Sequence, residues 1–117
     1  MVLTRLQVGV LLLLIIGETL SIYAEMLGAR NFGTSSTLHL FLKMLVMFTL
    51  AGGLLIGGYM LGFSAFKNIW VVSAISVGSL LIVEPLLAYT LFGQLPTRGA
   101  LIGFLLGIAG ILSALFF

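Results

Sequence analysis

The chain has 117 residues, of which 62% are hydrophobic and only 7% charged, with a net charge of +2. A soluble domain carries about a quarter charged residues, so this composition excludes a water-facing globule, a disordered tail and a nucleic-acid binder. A membrane span needs roughly 20 apolar residues, so the length admits at most about four spans joined by short connections.

Four apolar runs follow in chain order. The first covers about 6–27, with Glu18 and Glu25 inside it. Arg5 followed by Val8–Gly17 resembles the charged and apolar parts of a signal peptide. Glu18 falls where the apolar part should end and no small-x-small site follows, so the segment is expected to stay as the first span. Gly28–Thr37 is a loop by its Gly, Ser, Thr and Asn content. The second run covers about 38–62, with Lys43 near its start, and Phe63–Asn68 reads as a connection. The third covers about 69–91. Gly93–Arg98 is a turn, and its Pro96 lies close to the next helix start, where a missing N–H does no harm. The fourth run covers about 99–117. In hydrocarbon every backbone polar group needs an internal partner, so spans are helices or closed barrels. These runs are too long and too continuously apolar for barrel strands. The expected fold is a single all-α membrane domain, a bundle of four transmembrane helices.

Four spans put both termini on one side with Arg5 and Lys67, and place Arg30, Lys43 and Arg98 on the other. Two against three is a small bias for the positive-inside rule. It favours the connections after the first and third helices in the cytoplasm, and it permits insertion both ways, hence an antiparallel dimer. A single orientation set by other factors is the alternative.

Few residues can carry chemistry. Cysteine and aspartate are absent, the acids are Glu18, Glu25 and Glu84, and the one histidine is His39. This inventory predicts no enzyme, no metal site and no cofactor. Glu18 lies midway through the first span, where an ionisable group costs at least ~2.5 kcal/mol and usually faces a bundle interior or an aqueous cavity. Glu18, Ser21 and Glu25 fall at i, i+3 and i+7, so they share a helix face. One reading is a proton or cation site on a pathway; the other is a protonated acid bonded to a neighbouring helix, with Glu25 solvated at the membrane surface. Glu84 precedes Pro85, which removes a backbone donor and disfavours helical geometry before it. Ser73, Ser76 and Glu84 form a second polar stripe, beside either a functional niche or a structural kink. Lys43 either snorkels to the surface or pairs with Glu84 across helices two and three. Tyr23, Tyr59, Trp70 and Tyr89 read as interfacial aromatics or as lining of a cation site.

Glycine gives the helix-packing signal. The last helix carries Gly99, Gly103, Gly107 and Gly110 on one face, and the second carries Gly53, Gly57, Gly58 and Gly62. Small residues let membrane helices approach closely. The ridge on helix four serves either a dimer contact or packing within the chain.

The second half of the chain resembles the drug/metabolite transporter superfamily. The similarity is carried by Gly58-Tyr-Met-Leu-Gly-Phe-Ser-Ala-Phe-Lys-Asn68, by Leu81-Ile-Val-Glu-Pro-Leu-Leu-Ala88, by Leu91-Phe-Gly-Gln-Leu-Pro-Thr97 and by the glycine-spaced last helix. EamA-type members have a similar Glu-Pro-x-x-Ala segment, with Gln94 standing here for the acid of the following turn. The Phe-Gly-Gln turn, the length and Gly17-x-Thr19-Leu20 are similar to the four-helix small multidrug resistance family. An ungapped alignment puts Leu14 at that family's membrane glutamate, with Glu18 one turn on, and Ser76 at its helix-three tryptophan. The resemblance implies a dimeric transporter in a bacterial or archaeal inner membrane, surrounded by lipid. It implies export of a small cationic or amphipathic molecule coupled to protons or ions. Glu18 and Glu84 would couple, and Ser21, Tyr23 and Ser76 would line the site. The alternatives are a lipid-linked sugar flippase subunit of the same superfamily and a non-transporting small subunit of a larger membrane complex.

Overall fold

A computed structural model describes residues 3–34 and 36–117. It is all-helical among those residues, with α1 Arg5–Arg30, α2 Thr37–Phe66, α3 Ile69–Phe92 and α4 Arg98–Phe116. All four are long and apolar enough to cross a membrane, so by length and composition the chain is an integral membrane protein.

The helix ends follow local chemistry. Thr4 and Gln7 form a reciprocal capping box at the start of α1. Thr97 caps α4, its side chain accepting from the Ala100 N–H. Gly93 ends α3 in the left-handed conformation at φ 66°. Helix α2 runs four residues beyond the expected end at 62, through Phe63, Ser64, Ala65 and Phe66. Those residues are compatible with helix. The stop is Lys67 in the left-handed conformation, φ 59°, whose N–H reaches the Phe63 carbonyl. Asn68 then caps α3 by accepting from the Trp70 N–H at 2.9 Å. The α2–α3 connection is therefore Lys67-Asn68, shorter than the six residues read from the sequence. Ser35, in the loop after α1, lies outside the described residues.

Among the described residues, α1 packs on both α2 and α3, α2 and α3 touch each other, and α4 touches α3 alone. Glycine sets the closeness of α1 and α2. A Cβ on Gly58 would sit 2.8 Å from Leu14 Cδ2, and one on Gly17 would sit 2.8 Å from Leu55 Cδ2. Gly62 lies against Val10 and Val72. The fully buried side chains Val10, Leu14 and Val72 form the core, with Leu55, Tyr59 and Phe66 packed around it.

The packing is uneven along the bundle. The buried residues of α2 are Ala51, Gly58 and Gly62, and those of α3 are Val72, Ala74, Ser76 and Ser79. The core thus occupies the half nearest Lys67-Asn68. Beyond Ser79 in α3 and before Ala51 in α2 no described residue of those two helices is buried, whereas in α1 burial continues to Ile22 and Ala24.

Candidate functional site

Glu18 lies at the middle of α1 and is 9% exposed. The Ser76 hydroxyl donates to its Oε1 at 2.5 Å, joining α1 to α3. Ser76 is itself buried. A turn further on, Ser21 is buried and its hydroxyl donates to the Glu18 backbone carbonyl at 2.9 Å. Ser79, one turn beyond Ser76, is at the edge of burial and donates to the Ile75 carbonyl at 2.8 Å. No buried side-chain oxygen or nitrogen lacks a partner among the described residues.

This cluster has a physical logic. An ionisable group at membrane depth is tolerated when it faces the bundle and finds hydrogen bonds. Glu18 has both. Leu14 and Gly58 lie on one side of it, and on the other the buried Ser21, Ile22 and Ala24 precede the exposed Glu25, where the bundle is looser. A carboxyl in this position can exchange a proton or hold a cation arriving from the looser end.

The structure brings Glu18, Ser21 and Ser76 together. Tyr23 is half-buried on α1 and makes no side-chain hydrogen bond among the described residues. Glu84 is half-buried further along α3, outside the cluster, beside Pro85, which is accommodated within the helix. Of the expected second stripe, Ser76 is buried, whereas Ser73 and Glu84 are half-buried. Ser79 takes the inward place; the i, i+3 spacing from Ser76 was the available signal for it.

Lys43 and Glu84 do not share a depth. Lys43 lies 23 residues back from Phe66 and Glu84 15 residues on from Ile69. At 1.5 Å per residue, Lys43 stands about 12 Å further from the shared connection. The six-residue excess of α2 over α3 in length, hidden in the sequence, is much of the reason. Lys43, His39 and Glu25 are exposed in the chain, and Trp70 is 78% exposed near the start of α3. Tyr59 packs against the core instead of facing outward.

The glycines of α4 divide. Gly107 packs on Leu81 of α3, where a Cβ would lie 3.0 Å from Leu81 Cδ1. Gly99, Gly103 and Gly110 face open space. The spacing allows this, because Gly107 is at the edge of the ridge while the other three fall within about 40° of one another at 3.6 residues per turn.

A groove of about 380 Å³ lies between the end of α1 and the start of α2. Ala24, Glu25 and Gly28 form one wall, Leu40, Phe41, Met44, Leu45 and Phe48 the other, and Phe32 and Thr37 the loop end. The sequence signal for it is the apolar spacing Phe41, Met44, Leu45, Phe48 opposite Gly28, which is a helix-face pattern.

Compared with family profiles, curated proteins and solved structures, the chain matches none.

Proposed function

We propose that the chain is a small transporter of the drug/metabolite superfamily type, acting as a dimer in a bacterial or archaeal inner membrane. It exports a small cationic or amphipathic molecule in exchange for protons or another cation. The observation that carries this reading is Glu18, a carboxyl at mid-helix, buried, and bonded to Ser76 of another helix. A group that only anchored two helices would be less expensive as a neutral amide or hydroxyl. The presence of a carboxyl at this depth supports a role in proton or cation binding. Ser21 orders the same stretch of α1, and the sparser burial of α2 and α3 beyond Ala51 and Ser79 supports access from that end. Glu84 and Tyr23 lie toward that end and serve as lining.

Dimerisation is supported by α4. It has no buried residue, touches only α3 and leaves Gly99, Gly103 and Gly110 open. Close approach of a second helix at such a ridge is what small residues permit in membranes.

The test is transport by the protein in proteoliposomes under an imposed pH gradient, with a panel of organic cations. Glu18→Gln is expected to abolish proton-coupled uptake while the protein stays folded. Proton-coupled transport by Glu18→Gln at the wild-type rate would remove the assignment.

The same α4 observation also favours a second reading, a non-transporting subunit whose last helix docks on a different protein. Oligomeric state in mild detergent separates the two. A discrete homodimer fits the transporter, and a chain stable only with another protein fits the subunit.

A further inference from the structure

Glu25 is not accounted for by the Glu18 cluster. It is exposed, it stands seven residues or about 10 Å along α1 from Glu18 on the same face, and it lines the α1–α2 groove. The rest of that lining is almost wholly apolar and contains no lysine, arginine or histidine. Lys43 is two residues from Phe41 and so turned about 200° away around α2. Arg30 is turned about 140° from Glu25 around α1. Among the described residues the groove therefore presents a carboxylate with no counter-charge of its own, beside Phe41 and Phe48.

We infer that this groove is an outer binding site for an organic ammonium ion, separate from Glu18. Glu25 supplies the counter-charge. The rings of Phe41 and Phe48 supply an apolar wall and an electron-rich face for the cation, a combination suited to alkylated ammonium groups. Met44, whose Cγ would lie 3.5 Å from a Cβ on Gly28, packs over the α1 backbone and adapts to the ligand's shape. The volume, about 380 Å³, is at the small end of the range for ligand pockets. An anion is disfavoured by Glu25, and a lipid acyl chain has no use for a carboxylate. The ligand class rests on the proposed export of a cation, and the site deepens that proposal: a cation held at Glu25 is positioned one stride from Ser21 and Glu18.

The test uses benzyltrimethylammonium as probe and equilibrium binding to the full-length protein in neutral detergent micelles. Measuring in a Glu18→Gln background keeps the outer site apart from the inner one. Saturable binding is expected to persist in that background. Adding Glu25→Gln is expected to weaken it about tenfold or more, equivalent to ~1.4 kcal/mol. Adding Phe48→Ala is expected to weaken it about threefold to tenfold. Glu25→Asp, which keeps the charge, should restore most of the binding and guards against a folding defect. Equal binding with and without Glu25→Gln would overturn the inference, as would the absence of saturable binding in the Glu18→Gln background. Neither result bears on proton coupling by the wild type, so failure of the outer site and failure of the proposed function are distinguishable.

Discussion

Helices α1 and α4 make an instructive pair. Both are long and apolar enough to cross a membrane, and α4 is the more hydrophobic. Yet α1 contributes seven buried residues, including Glu18 and Ser21, whereas α4 contributes none. In lipid, hydrophobicity gives a helix no reason to be inside, because the surrounding tails are as apolar as leucine. Position in the bundle is decided instead by small residues and polar pairs. Helix α1 has Gly17 seated against α2 and Glu18 bonded to α3. Helix α4 has only Gly107 in such a contact with α3, near Gly78 against Ile111.

This contrast can be broken by overfilling the α1 seam. Gly58→Leu places a side chain where even a Cβ would meet Leu14 at 2.8 Å. The expected loss is about 3 kcal/mol, seen as a lower unfolding midpoint in mixed micelles. Leu14→Ala attacks the same seam from the other side. Leu14 is fully buried, and the cavity should cost about 2 kcal/mol in the same assay. Wild-type stability in either variant would mean that α1 is not held by close packing.

The polar link is the next smaller effect. Ser76→Ala removes the donor to Glu18 Oε1. A double-mutant cycle with Glu18→Leu, which removes the acceptor that a glutamine would keep, should give a coupling of about 0.6 kcal/mol, the average found between membrane helices. A coupling near zero would mean that Ser76 and Glu18 are neighbours without an energetic bond. The smallest effect is expected at the other pole of the comparison. Gly103→Leu projects into open space, so the stability of the single chain should change by less than about 0.5 kcal/mol. In cross-linking or sedimentation the same variant should lose the dimer, if α4 is the seam between two copies as proposed. An unchanged dimer would move the seam elsewhere.

Much of the fold was legible in the sequence. Continuous apolar runs and the punctuation at Gly28–Thr37 and Gly93–Arg98 led to four helices in the right order. The exact length of α2 was not legible, because Phe63–Phe66 suits a helix end or a connection equally well until the left-handed Lys67 is seen. That ambiguity carried over to the expected meeting of Lys43 and Glu84. At the candidate site, the shared face of Glu18 and Ser21 followed from spacing alone. The partner Ser76 did not, since a cross-helix bond depends on register, and the register is fixed by contacts such as Gly58 on Leu14 and Gly62 on Val72. For the same reason the ridge of α4 could be recognised, but not its division between Gly107 and the open glycines.

The two-residue Lys67-Asn68 connection ties the directions of two helices together. Fully extended, two residues span at most about 7 Å, far less than the roughly 30 Å of a bilayer's hydrocarbon. In a membrane the end of α2 and the start of α3 therefore lie at one face, and the two helices cross in opposite directions. Whichever face holds Lys67, turning one of the pair over turns the other with it.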